Sequence, residues 1–115
     1  MPHLRTDDLV IPQGTTWEVQ WPIQNADGTP ADLTGWSARA QVRKALGSST
    51  VLYSWSLLAG NVTVAGGSVS LRVAPEVSSS WEWYSGVYDV ELYHPDGRVN
   101  RITQGRVTLD KEVTR

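Results

Sequence analysis

Residues 86–93 read Gly-Val-Tyr-Asp-Val-Glu-Leu-Tyr, and residues 99–109 read Val-Asn-Arg-Ile-Thr-Gln-Gly-Arg-Val-Thr-Leu after a Pro-Asp-Gly turn at residues 95–97. Tyr88, Val90 and Leu92 alternate with polar or charged residues, which is the period of a strand with one buried face. Proline and glycine at the turn supply the backbone angles of a tight connection, so the stretch predicts a β-hairpin. Gly105 interrupts the returning strand and predicts a bulge or a close approach of another backbone.

Short alternating or apolar segments of the same kind occur along most of the chain. Six further strands are predicted at 9–11, 16–23, 36–43, 51–58, 62–64 and 69–73. About eight short strands with turn residues between them predict an all-β fold, an antiparallel immunoglobulin-like β-sandwich, with a closed barrel as the alternative. Pro22 places its strand at an edge or a bend, because proline cannot donate to a ladder. Val77, Trp81 and Tyr84 have the spacing of a short helical turn.

The length of 115 residues favours one domain. The predicted division is a polar N-terminal arm over 1–8, a β-sandwich domain over 9–110 and a charged C-terminal tail over 111–115. Asp7 and Asp8 are interpreted as a solvated flank rather than as a paired-carboxylate site.

Composition disfavours several classes of partner. There is no cysteine, which removes disulfides and thiolate metal sites, and the formal net charge of −2 comes from interspersed acids and bases. Nucleic acid is therefore not an expected partner. No apolar stretch reaches the roughly 20 residues of a membrane span, and no signal peptide is recognisable. We expect the chain to be made in a host cytoplasm and not to insert into a membrane.

No enzyme signature is recognisable, and the sequence predicts no catalytic residue, no metal site and no cofactor. The two histidines, His3 and His94, lie in the arm and beside the hairpin turn. Asp89 and Glu91 share the outward face of one strand, and Arg39 and Arg43 share that of another, which is typical of a solvated sheet surface. A basic binding stripe at the two arginines is the less favoured alternative.

The segment Trp81-Glu82-Trp83-Tyr84 is the strongest candidate for a functional surface. Trp and Tyr are preferred anchors of protein interfaces, and aromatic rings beside polar groups also stack on sugars. The alternative is a hydrophobic plug at one end of the sandwich. Trp81, Trp83 and Tyr84 are the predicted interaction surface, with a protein or a glycan as the possible ligand.

Several motifs occur in the order seen in one group of proteins. They are an Asn/Asp-Gly turn over 25–28, Asp-Leu-Thr-Gly-Trp over 32–36, Ala-Gln-Val-Arg over 40–43, Gly-Val-Tyr-Asp-Val over 86–90, Asp-Gly-Arg-Val over 96–99, and Gly-Arg-Val-Thr over 105–108 before a terminal Val-Thr-Arg over 113–115. Over residues 9–115 the chain resembles small β-sandwich virion structural proteins of tailed bacteriophages, of the minor tail protein type. It is also similar to the N-terminal domain of phage baseplate upper proteins.

The resemblance implies a non-enzymatic virion component that works by protein–protein assembly. We expect a minor tail, tail-tip or baseplate subunit, present in several copies or as a homo-oligomer and bound to other virion structural proteins. Baseplate upper proteins carry long C-terminal extensions that this sequence lacks, which favours an adaptor or decorating subunit. The alternatives are a capsid decoration protein and, in another class, a carbohydrate-binding module for host cell-envelope glycans.

Overall fold

The computed structural model describes residues 5–113, of which Arg5 is described in its backbone alone. The strands are β1 (Arg5–Thr6), β2 (Leu9–Pro12), β3 (Trp17–Pro22), β4 (Ser37–Arg43), β5 (Val51–Ser56), β6 (Val62–Ala65), β7 (Ser68–Val73), β8 (Ser85–Tyr93) and β9 (Val99–Asp110). One helix, α1 (Pro75–Ser79), lies between β7 and β8. The large sheet has the order β1-β9-β8-β4-β5, with β2 also paired to β9, and the small sheet has the order β3-β7-β6.

The predicted hairpin is confirmed as β8 and β9, which pair antiparallel. At its turn the N–H of Gly97 donates to the carbonyl of His94 over 2.9 Å, and Gly97 has a φ of 98°, which favours glycine. The predicted strands at 62–64 and 69–73 are present as β6 and β7, which also pair antiparallel. Pro22 ends β3, which is an edge strand of the small sheet as the proline predicted.

The N-terminal residues pair parallel to the last strand rather than standing apart. Thr6 aligns with Gln104 of β9, and β2 continues the same parallel alignment. The interpretation of Asp7 as a solvated flank is wrong: its Oδ2 accepts hydrogen bonds from Trp21 Nε1 at 3.1 Å and Thr103 Oγ1 at 3.0 Å. Residues 5–8 of the predicted arm therefore belong to the sandwich, and residues 1–4 lie outside the described part.

Gly105 marks a close backbone approach, while the bulge lies elsewhere in β9. A Cβ at position 105 would collide with the carbonyl oxygen of Asp7, so glycine lets the N-terminal segment pack against β9. The register shifts between Val90 and Glu91 of β8, which leaves Ile102 as the extra residue of β9. Ile102 and its neighbour Thr103 are both buried as a result.

The helix is shorter than predicted and does not reach Tyr84. It begins with Pro75 and ends at Ser79, and Trp81 follows it in irregular backbone. Serine side chains turn back on the backbone here, since Ser80 Oγ donates to the carbonyl of Val77 over 2.7 Å. Such bonds compete with the helical ladder and explain the early end.

The predicted C-terminal tail is bound to the sandwich over its first residues. Lys111 Nζ donates to the carbonyl of Trp81 over 3.2 Å, and Glu112 N donates to Gln13 Oε1 over 3.1 Å. Residues 114 and 115 lie outside the described residues. The expectation of a separate charged tail is thus wrong for Lys111 and Glu112.

The carboxylate of Asp7 provides a test of this fold. We expect Asp7→Ala to lower the free energy of unfolding by about 1–3 kcal/mol, because it leaves Trp21 Nε1 and Thr103 Oγ1 without their acceptor. Asp8→Ala is the matched control, since exposed Asp8 accepts one bond from the Arg106 N–H. Urea unfolding of both variants measures the difference, and equal losses would contradict the role given to Asp7.

Candidate functional site

The structure separates the three residues of the predicted interaction surface. Trp81 is 8% exposed and belongs to the core, Trp83 is half-buried, and Tyr84 is 71% exposed. The exposed Trp81 anchor expected from the sequence is therefore not found, because Trp81 packs against Tyr53 with ring centroids 5.0 Å apart. The predicted surface is reduced to Trp83 and Tyr84.

Trp81 belongs to a row of five rings that connects the two sheets with the segment after α1. The order of contact in this aromatic row is Trp17, Trp55, Tyr53, Trp81 and Trp83, with successive centroids 6.5, 4.9, 5.0 and 4.9 Å apart. The row begins on the small sheet, crosses to the large sheet and ends in the segment after α1. Trp81 is thus part of the core and Trp83 packs against it, as the interpretation of this segment as a hydrophobic plug requires.

Tyr84 is the exposed ring of the segment, and Lys111 covers part of it. The Lys111 ammonium lies 4.6 Å from the Tyr84 ring centroid, a cation–π distance. The indole N–H of Trp83 is buried without a hydrogen-bond acceptor among the described residues. A single exposed ring provides little area for stacking on a ligand.

The outer face of the large sheet carries charges that the strand order brings together. Cross-strand registers align Arg43, Val87 and Arg106 in one row, Gln41, Asp89 and Gln104 in the next, and Arg39, Glu91 and Arg101 in the third. Asp89 lies at the centre of these rows, and an arginine lies at each corner. We call these nine residues the arginine face.

Three of the four arginines are held by neighbours within the chain. Arg39 Nε lies 3.0 Å from Glu91 Oε1, and Arg101 Nε lies 3.5 Å from Asp89 Oδ2. Arg43 donates to the carbonyl of Ser48 over 2.8 Å and to Gln41 Oε1 over 2.9 Å. The bond to Ser48 ties the loop between β4 and β5 to the edge of the arginine face.

Arg106 differs from the other three. Its side chain is exposed, and no described group accepts a hydrogen bond from its guanidinium, whereas its backbone N–H donates to Asp8 Oδ1 over 3.0 Å. Arg106 lines a cavity of about 430 Å³ between β9, β8, β4 and the β4–β5 loop, with Val87, Asp89 and Leu46 among the other lining residues. The cavity presents a guanidinium with unused donors beside apolar side chains.

Asp89 is the central acid of the arginine face. Burial raises the pKa of Asp89 above its ordinary value and the nearby Glu91 carboxylate raises it further, while Arg101, Arg43 and Arg39 lower it. The net direction is upward, so the folded chain holds the Asp89 proton more tightly than the unfolded chain does. Folding therefore disfavours the ionised form of Asp89 at the centre of the arginine face.

Exposed apolar side chains concentrate near one edge strand. Of the eight large apolar residues that are exposed in the part of the chain that the structure describes, four lie in β5 or its flanking loops: Leu46, Val51, Leu57 and Leu58. We call these four residues the apolar edge. No strand of the described residues pairs with the outer side of β5, where the side-chain amide of Asn61 bonds Ser54 and Ser56.

Within residues 5–113, no group of three or more His, Asp or Glu side chains is placed to hold a metal ion. No helix in the same part of the chain has the length and apolar character needed to cross a membrane.

Comparison with known proteins gives a fold. No family model matches the chain, and no curated protein matches it. A crystal structure of a chicken TCR is similar at a TM-score of 0.55 and 12% identity, over 96% of this chain and 56% of that chain. The immunoglobulin-like β-sandwich predicted from the sequence is confirmed. The chain spans little more than half of that TCR chain, and at this identity the likeness concerns the fold alone.

The arginine face was missed because its parts are far apart in sequence. Alternation placed Arg39 and Arg43 on one outward face and Asp89 and Glu91 on another, but it could not show that β8 lies between β4 and β9. Arg101 and Arg106 carried no signal, because the bulge at Ile102 changes the alternation of β9 between them.

The burial of Trp81 gives a first prediction. We expect Trp81→Ala to lower the free energy of unfolding by about 3–5 kcal/mol, because it removes a core ring from the aromatic row. Tyr84→Ala should change it by no more than about 0.5 kcal/mol, since that ring is exposed. Chemical denaturation compares the two, and a large loss for Tyr84→Ala would contradict the plug arrangement.

The pKa of Asp89 gives a second prediction. Because that pKa is raised on folding, ionised Asp89 opposes folding at pH 7. We expect Asp89→Asn to raise the free energy of unfolding there, by less than about 1 kcal/mol because the side chain is partly exposed and screened. The advantage of the variant should vanish as the pH falls through the raised Asp89 pKa toward 3.8, the ordinary pKa of an aspartate.

Asp96→Asn is a control of opposite sign. The backbone N–H of Arg98 and then the Arg98 side chain lower the pKa of Asp96, so its ionised form supports folding. That support is present above pH 3.8 and is lost as the pH falls through the lowered pKa. Stability curves of the three proteins against pH check both signs, and an Asp89→Asn protein less stable than wild type at pH 7 would contradict the first.

Proposed function

We propose that this chain is a non-enzymatic structural protein of a tailed bacteriophage virion, a minor tail, tail-tip or baseplate subunit that acts through protein–protein assembly. The resemblance of its ordered motifs to such proteins supports the virion location. The concentration of exposed apolar side chains at the apolar edge is the observation that carries the assembly function. Contact between proteins requires such a surface and no reacting group.

The apolar edge has the character of a contact that a neighbouring subunit covers. Leu46 and Leu58 are 95% and 99% exposed, although each would stabilise an interface by about 1.5–3 kcal/mol if fully buried. Unpaired strand edges flanked by apolar side chains tend to associate, and proteins commonly protect them with charges or a covering element. Here the Asn61 side chain bonds Ser54 and Ser56, and no strand within residues 5–113 pairs with the outer side of β5. A subunit seated on β5 would cover the edge.

The two alternatives differ in what supports them. A glycan site at the aromatic segment would need several exposed rings, and the burial of Trp81 removes the first of them. A capsid decoration protein would use the same apolar edge, so the site on the particle distinguishes it from a tail subunit. We retain the tail location because the resemblance is to tail proteins.

The experiment measures how much of the chain is incorporated into phage particles. We expect wild-type chain to copurify with phage particles from cells that carry its gene, and gold-labelled antibody to mark the tail. Particles made with a Leu46→Ser, Leu58→Ser chain should retain at least about ten-fold less of it, because two apolar contacts are lost. Quantitative mass spectrometry of purified particles gives the copy number.

The control is a Val10→Ser, Val113→Ser chain. Both valines are exposed, at 59% and 100%, but they lie away from β5, so this chain should be incorporated as wild type is. Gold label on the head would favour capsid decoration. Purified particles that lack the wild-type chain would overturn the virion function, and equal incorporation of both double variants would overturn the role of the apolar edge.

A further inference from the structure

The cavity on the arginine face has a charge opposite to that of the chain as a whole. The arginine face contains four guanidinium groups and two carboxylates, and the cavity itself is lined by Arg43, Arg101, Arg106 and one acid, Asp89. The chain has a formal net charge of −2. The cavity is therefore a positive site on an acidic protein, and it favours an anionic group.

The shape of the donor set selects among anions. Guanidinium presents paired N–H donors that match a carboxylate in a bidentate fork. Arg43 and Arg101 already donate to Ser48, Gln41 and Gln104, whereas the guanidinium of Arg106 donates to no described group. Arg106 is thus the arginine of this cavity with its whole fork available.

The rest of the lining indicates what accompanies the anion. Val87 lies between Arg43 and Arg106 in one row, and Ala45 and Leu46 form the wall that the β4–β5 loop contributes. A closely spaced polyanion such as nucleic acid would bring further charges against Asp89. The aromatic residue of the lining, Tyr88, is only 4% exposed and provides no ring for stacking on a sugar.

We propose that this cavity binds an acidic segment of a protein partner, with one carboxylate on the Arg106 guanidinium and an adjacent apolar side chain against Val87 and Leu46. Charge complementarity and the mixed polar and apolar lining identify the partner as a peptide segment in which Asp or Glu neighbours an aliphatic residue. The proposal deepens the assembly function and rests on it for the partner's being a protein.

The loop between β4 and β5 makes this site continuous with the apolar edge. Leu46 lines the cavity and is also a member of the apolar edge, and the Arg43 bond to the Ser48 carbonyl fixes the loop that carries it. A partner seated on β5 would thus reach the cavity with a neighbouring segment. The same subunit would supply both the apolar and the acidic contact.

The probe is a short capped peptide in which glutamate alternates with leucine, compared with the same peptide carrying glutamine in place of glutamate. NMR titration of the wild-type chain should shift the Nε–H signal of Arg106 and the amide signals of Val87 and Gln104. The glutamine peptide should bind at least about ten-fold more weakly, because the bidentate charge-assisted pair is lost. Equal binding of the two peptides would overturn the proposal.

Arg106→Gln tests the residue, and Arg98→Gln is its matched control. Both remove one positive charge from an exposed side chain, but Arg98 lies at the hairpin turn, where its Nε is 2.7 Å from Asp96 Oδ2. Arg106→Gln should weaken the glutamate peptide at least about ten-fold, and Arg98→Gln should change it less than about two-fold. Equal losses would show a diffuse charge effect and overturn the site.

A third titration uses a hyaluronan oligosaccharide, which is a sugar that bears carboxylates. Binding of this glycan at Arg106 more tightly than the glutamate peptide would overturn the assignment to a protein partner. If the peptide does not bind but the chain is incorporated into particles normally, the proposed site is contradicted and the assembly function is not. If the chain binds the peptide but is absent from particles, the virion location is contradicted and the proposed site is not.

Discussion

The stacking of Trp21 on Tyr88, with Asp7 beside both rings, is the contact on which the sandwich depends. The two rings come from opposite sheets, with their centroids 6.5 Å apart and an angle of 24° between their planes. Asp7 accepts hydrogen bonds through its carboxylate from Trp21 and Thr103, and through its carbonyl from the Tyr88 hydroxyl. Antibody domains join their sheets by a disulfide. This chain has no cysteine, and ring stacking with indole hydrogen bonds joins its sheets instead.

The position of Asp7 follows from the parallel strands at one edge of the large sheet. Parallel pairing of β1 and β2 with β9 carries Asp7 across β9, and Gly105 provides the room for its backbone. β1 and β2 thus cover the edge of the large sheet at β9. At the other edge, no strand in the described residues pairs with the outer side of β5. A second cross-sheet bond, from Trp55 Nε1 to the Arg72 carbonyl over 3.0 Å, holds β5 against the small sheet. The free edge is therefore held in place by the core behind it.

Local patterns predicted the strands well and their neighbours poorly. Alternation of apolar and polar residues depends on each strand's own faces, so β4, β7 and the β8–β9 hairpin were predicted from nearby residues. Pairing of β1 with β9 joins residues almost a hundred positions apart, as the bond between Thr103 and Asp7 shows, and a polar pattern at residues 1–8 contains no trace of it. Trp81 could not be placed for the same reason, because its burial depends on Tyr53 of β5.

The arginine face is costly for the isolated chain, and this cost bears on its use. Burial and the Glu91 carboxylate oppose the charge of Asp89 and raise its pKa, and Arg43 and Arg106 place like charges on either side of Val87. A solvated face needs only interspersed charges, as on an ordinary antiparallel sheet. Here Glu91 and Asp89 lie beside Arg39 and Arg101, and the guanidinium of Arg106 lines the cavity without an acceptor among the described residues. An added carboxylate at Arg106 would balance the positive excess of a cavity that is lined by three guanidinium groups and one carboxylate, which is the physical reason that this face suits an acidic partner better than it suits bare solvent.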